Sequence, residues 1–188
     1  MIKVDGHDCW HEILNNKKGS VLNTVKILNH NLKQTNSICV EVSWLNLHQA
    51  STVLGQYLPK YPNIKYALFY KSPIEYLNPN YGLDKEIVKF NKWIRSHKSI
   101  KTDFLNLSDI SQQKMNPTQV QESMIYLSKL FWHVNSNEYF DTDDKNPNGY
   151  YRWYKVLKQH KPNLAVRDYH KIIKNNMVKY PVINFNQE

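Results

Sequence analysis

Four apolar runs of strand length alternate with stretches long enough for a helix, and this alternation constrains the fold more than any other feature of the sequence. The N-terminal IKVDG is followed by SICVEVSWLNL over 37–47, NIKYALFYKSP over 63–73 and TDFLNLSD over 102–109. Each run is bounded by turn or cap residues. The stretches between them, over 9–33, 48–60 and 83–97, read as amphipathic helices; the first is one long helix or two short ones broken near Gly19-Ser20. In the third, Leu83, Ile87, Phe90 or Asn91, and Ile94 fall at helical spacing. A fourth helix begins at Asn116, an N-cap, with Pro117 at the first helical position, and runs over 117–134. Parallel strands need a crossover of a dozen or more residues, whereas antiparallel neighbours need only a short turn. The alternation therefore predicts parallel pairing through right-handed crossovers, in a three-layer α/β/α sandwich with a mostly parallel, flavodoxin-like sheet.

A chain of 188 residues suits one such domain with an appendage. With 41% apolar residues, 5 Gly and 8 Pro, it has material for a core and neither a disordered nor a collagen-like composition. No apolar run approaches the ~18 residues of a membrane span, and MIKVDGHDCW lacks the apolar stretch of a signal peptide. A soluble, intracellular protein is the expectation, with Cys9 and Cys39 kept as thiols. After residue 134 the character changes: Glu138, Asp141, Asp143 and Asp144 form an acidic stretch, then comes the turn-rich KNPNG, and beyond it the alternation is lost. The organisation expected is an α/β domain over 1–134 and a C-terminal extension over 135–188. DKNPNG, over 144–149, matches the first half of a calcium loop, but Lys155 stands where a bidentate Glu belongs, so the stretch reads as a turn. No cofactor or resident metal is expected.

The extension carries most of the net charge. The chain has 25 Lys and Arg against 16 Asp and Glu, a net +9, and from Lys145 onward there are nine cations against two acids. Only Arg95, Arg152 and Arg167 are arginines. Lysine neutralises phosphate as a point charge, whereas arginine is the usual reader of base edges, so any nucleic-acid binding would be mostly insensitive to base sequence. AT-rich coding would also enrich Lys and Asn, of which there are 22 Asn. The candidate polyanion-binding residues are Arg152, Lys155, Lys158, Lys161, Arg167, Lys171 and Lys174, interleaved with Tyr150, Tyr151, Trp153 and Tyr154. Cations among aromatic rings suit phosphate neutralisation with base stacking. The plainer reading makes Tyr150, Trp153, Tyr154 and Leu157, at i, i+3, i+4 and i+7, the buried stripe of a helix over 150–160 packed on the sheet, its lysines in water. Leu164, Tyr169, Ile172 and Ile173 then belong to a second packed element.

Ligands in parallel sheets bind beyond the carboxyl ends of the strands, where strand order reverses. The first strand is followed by GHDCWHE, which sets His7, Asp8, Cys9, His11 and Glu12 within six positions. Three readings are open. Cys9 at a helix start beside an imidazole would be an activated nucleophile; His7 and His11, at i and i+4, could grip zinc with Cys9 or Asp8; or Cys9 and Trp10 are core, Asp8 is a cap and the histidines are solvated.

His7-Asp8-Cys9 followed by Ile13-Leu14, then Trp44-Leu45-Asn46-Leu47, LFYKSPIEYLN and the Phe90-Asn91 pair in IVKFNKWI come in an order that resembles the SGNH or GDSL-type esterase and lipase family. The resemblance spans about 1–134 and implies a flavodoxin-like fold, with Cys9 at the position of the nucleophilic serine and Asn46 at that of an oxyanion-hole donor. The family's Asp-x-x-His block has no counterpart: QQKMN puts Met115, and DDKNPN puts Asn146, where histidine belongs. Trp44 replaces a glycine beside the oxyanion site, and His7, His11 or His170 would have to supply the base. These substitutions favour a catalytically degenerate SGNH-like protein that binds a polyanion such as nucleic acid or plays a structural part. The alternatives are an ester or acyl hydrolase with Cys9 as nucleophile and Asn46, His7 and His11 in support, and a self-assembling structural protein with Tyr and Trp as interface anchors.

Overall fold

In a computed structural model of the chain the described residues are 1–4, 37–62, 64–97, 102–108, 110–132 and 150–177. They fall into two compact units, Met1–Lys114 and Met115–Glu188.

The first unit is built on strands β1 (Ile2–Lys3), β2 (Ser37–Val42), β3 (Tyr66–Lys71) and β4 (Thr102–Leu105), with helices α1 (Leu47–Lys60) and α2 (Asp84–His97) in the last two crossovers. Every neighbouring pair is parallel, as the alternation implies. The architecture is α/β, consistent with a three-layer α/β/α sandwich. The strands lie in chain order, β1-β2-β3-β4, so among the described strands the order never reverses and no crevice arises there from a reversal. Successive right-handed crossovers in one direction bring their helices to one face. Accordingly, Leu47, Ala50, Val53 and Leu54 of α1 and Ile87, Phe90 and Ile94 of α2 join one core with Ile38, Val40, Val42, Ala67 and Phe69 of the sheet. The register sets Ile38 beside Ala67 and Val40 beside Phe69. Strand β2 buries alternate residues, leaving Ser37, Cys39 and Glu41 half-buried on the opposite face. Trp93 meets Phe69 edge-on at 5.1 Å between centroids, and Phe104 stacks on Phe69 at 5.4 Å. Such pairs add about 0.5–1.5 kcal/mol beyond area burial.

Two short 3-10 turns, Glu75–Leu77 and Pro79–Tyr81, connect β3 to α2 and end at Gly82. A Cβ there would lie 2.7 Å from Leu47 Cδ2 and 3.2 Å from the Pro79 carbonyl oxygen, so a side chain at this position would make Leu47 and the turn shift apart.

The second unit contains α3 (Pro117–Trp132), α4 (Tyr150–His160) and α5 (Val166–Met177). Asn116 caps α3 as expected: its Oδ1 accepts from the Gln119 N–H at 2.8 Å, and Gln119 Oε1 accepts from the Asn116 N–H at 3.0 Å, a reciprocal capping box. Helix α3 lies with Met115 and the C-terminal helices in this division, whereas the change of sequence character comes only after residue 134. The unit buries Met115, Val120, Met124, Leu127 and Leu130 from the α3 region, Trp153, Val156 and Leu157 from α4, and Tyr169 and Ile173 from α5. Tyr154 donates its hydroxyl to the Leu164 carbonyl at 2.9 Å and packs its ring 5.5 Å from that of Tyr169, tying α4 to the entry of α5.

Candidate functional site

The segment after β1, with His7, Cys9 and His11 and their neighbours Asp8 and Glu12, lies outside the described residues. The β2–α1 turn, SWLN, is described, and it shows what Asn46 does locally. Asn46 is 1% exposed. Its Oδ1 accepts from the Ser43 N–H at 2.9 Å and its amide donates to the Glu41 carbonyl at 2.7 Å, while its own carbonyl receives the Ala50 N–H that opens α1. The side chain thus closes the strand-to-helix turn on itself. Trp44 is fully buried beside it and donates its indole N–H to the Tyr76 carbonyl at 2.9 Å. Phe90 belongs to the core, and Asn91 donates to the Ile110 carbonyl at 2.7 Å, so the Phe-Asn pair packs and ties α2 in place.

A polar cluster that sequence reasoning missed stands on the other face of the same strands. Glu41 takes an ion pair from Lys3 at 2.9 Å, a hydrogen bond from the Ser72 hydroxyl at 2.7 Å and a longer one from the Tyr70 hydroxyl at 3.5 Å. It links β1, β2 and the end of β3. The available signal was a lone carboxylate in the apolar run SICVEV, a position that calls for a partner when half-buried.

In the second unit the C-terminal cations sort into two rows. Lys155, Lys158 and Lys161 follow one another at i, i+3, i+6 along α4 and its end, and Arg167, Lys171 and Lys174 lie at i, i+4, i+7 along α5; all six are exposed. Buried Tyr169 and Ile173 occupy the opposite side of α5. Lys155 Nζ lies 4.7 Å from the Tyr151 ring centroid and Lys158 Nζ 5.7 Å from that of Tyr154, cation–π contacts that hold both along the outer side of α4. Asp168 is the one acid within 150–177.

Arg152 stands apart from these rows. It is 2% exposed, on the side of α4 that carries Val156 and Trp153, and its guanidinium is not presented with the lysines. The aromatic stripe is also inward: Trp153, Tyr154 and Leu157 are buried, as the packed-helix reading requires, and Tyr151 is half-buried. The interleaving of rings and cations seen in the sequence is therefore divided in space, with most rings inside and the lysines outside. Burial, with a smaller contribution from the Lys174 ammonium, holds His170 below the ordinary histidine value. It stays neutral at pH 7 beside the α5 row.

Among the described residues no three His, Cys, Asp or Glu side chains gather as a metal site would require, and no helix is long and apolar enough to cross a membrane. Comparison of the chain with protein-family models, with curated proteins and with solved structures finds no match.

Proposed function

We propose that the protein binds a polyanion, nucleic acid foremost, through the outer sides of α4 and α5, on an SGNH-like α/β scaffold whose Asp-x-x-His block is replaced. The observation that carries this reading is the pair of cationic rows: six exposed Lys and Arg with Asp168 as the one acid between residues 150 and 177. Amphipathic helices place polar residues outward in any protein, but they commonly mix signs; rows of one sign create a field that attracts phosphate. The burial of Trp153, Tyr154 and Tyr169 removes base stacking as a major term and leaves neutralisation of the backbone. Binding is then electrostatic, salt-sensitive and indifferent to base sequence.

Fluorescence anisotropy with a labelled single-stranded oligonucleotide tests this. Six phosphate contacts on a single strand predict an affinity loss of roughly 300-fold between 50 and 200 mM salt. The quadruple variant Lys155→Glu, Lys158→Glu, Lys171→Glu, Lys174→Glu should show no binding at 50 mM while keeping the helical circular dichroism and melting temperature of the parent. Binding that ignores salt, or that survives the charge reversal, overturns the proposal. Competition by heparin at low salt is expected, because phosphate and sulfate oxygens meet the same lysines.

A further inference from the structure

The second unit contains a cavity of about 560 Å³ between α3 and α5, open at one side. That volume lies within the range of small-molecule sites, roughly 300–1,000 Å³. Its body is mainly apolar: Val120, Met124 and Ile125 come from one side of α3, with Gln121 among them, and Ile172 faces them from α5 together with Asn176. One end differs. His160 and Lys161, at the C-terminal end of α4, join Pro117 there. His160 Nδ1 accepts the Met115 N–H at 3.1 Å, which fixes the imidazole at the start of α3. The same bond requires Nδ1 to be unprotonated, so in that neutral ring the proton sits on Nε2, 3.1 Å from the Gln159 side-chain amide, which must turn its oxygen towards the ring to accept it. From Pro117 to Ile125 the helix rises about 12 Å, which separates the polar end from the apolar one. Among the described residues the lining includes one cation, Lys161, and no carboxylate.

We propose that this cavity binds a small amphiphilic anion: an acyl or aryl body along Val120, Met124, Ile125 and Ile172, with its acid group at the end held by Lys161. The charge of the lining selects an anion over a cation, and the apolar length selects a ligand with a tail over a free phosphate or acetate. Lys161 belongs both to this site and to the cationic row of α4, but Lys155, Lys158, Lys171 and Lys174 are not among the lining residues, so reversing those four charges alters the polyanion surface and leaves the cavity lining intact.

The test uses the full chain with decanoate as ligand, decanol and decyltrimethylammonium as its neutral and cationic counterparts, and displacement of 1-anilinonaphthalene-8-sulfonate fluorescence as the readout. Decanoate should displace the dye and raise the melting temperature, with decanol weaker and the cation weakest. Lys161→Gln should weaken decanoate roughly tenfold and leave decanol unchanged. Ile125→Trp, which fills the cavity from its half-buried rim, should abolish binding of both. If that variant fails to fold, amide shift changes on decanoate titration of the parent decide the location: they should concentrate at 117–125, 160–161 and 172–176. Equal binding of all three amphiphiles, an unaltered decanoate affinity in Lys161→Gln, or shift changes elsewhere overturns the proposal. Decanoate binding unchanged in the quadruple Lys→Glu variant would show that loss of the polyanion surface and loss of this site are separate events; its loss there would overturn the independent site.

Discussion

At the scale of single residues the informative side chains are those whose polar atoms are accounted for. Asn46 spends its carboxamide on Ser43 and Glu41, so Asn46→Ala should leave a buried N–H and C=O without their partner and cost about 1–3 kcal/mol of stability. Asn46→Asp should cost at least as much, because it keeps the acceptor for Ser43 but sets a buried carboxylate oxygen against the Glu41 carbonyl; urea titration of the two variants checks the order. His170 makes a prediction with pH. A histidine held below its ordinary value of 6.5 by burial and by Lys174 takes up its proton less readily when folded than when unfolded. Its contribution to stability is complete above pH 6.5 and declines as the pH falls from there through the lowered folded value. The melting temperature of His170→Asn should therefore fall less between pH 7 and pH 5 than that of the parent. In Lys174→Gln, ring resonances followed by NMR should titrate at higher pH than in the parent, since one of the two depressing influences is gone. Asn46 could be named from its sequence position, but its role in the turn could not: the same residue type suits a cap, a turn or an oxyanion hole, and only its two partners distinguish them.

At the scale of elements, local sequence was most legible where it carries its own stop and start signals. Asn116-Pro117-Thr118-Gln119 contains the cap, the first-turn proline and the residue that reaches back, and the structure closes both bonds. Asn116→Ala should destabilise the second unit by about 1 kcal/mol, and Gln119→Ala by less, as measured by thermal unfolding. The helix over 150–160 was legible as a period-3.6 stripe, and Trp153, Tyr154 and Leu157 are buried as that stripe requires. Arg152 was misjudged for the same reason that the stripe was seen. A helix side is a band, not a line, and Arg152 falls beside Val156 within the band that this unit buries, although its charge groups it with the lysines on paper. Likewise β2 reads as a continuous apolar run, yet it buries only alternate residues, since a strand has two faces and α1 and α2 pack on that of Ile38, Val40 and Val42.

At the scale of the molecule, charge is the dominant asymmetry. Residues 150–177 contain seven Lys and Arg and one acid, +6 of a net +9. Of the six exposed cations only Arg167 has the planar fork that reads a base edge. Oligonucleotides of equal length and contrasting base composition should therefore bind within about tenfold of one another, because a larger ratio would need a bidentate base contact worth more than about 1.4 kcal/mol; anisotropy at one fixed salt concentration checks this. The sequence by itself determined the strand and helix alternation, hence the parallel sheet, along with the cap of α3 and the spacing of the cations. These are properties of neighbours along the chain, and φ/ψ preference and side-chain period act at that range. Only the tertiary structure decided that Glu41 meets Lys3 and Ser72, 38 and 31 positions away. It alone also sent Arg152 inward and let three helices leave a cavity ending at Lys161. Such meetings depend on which faces pack and how completely they fill the space between them, and no local pattern encodes that.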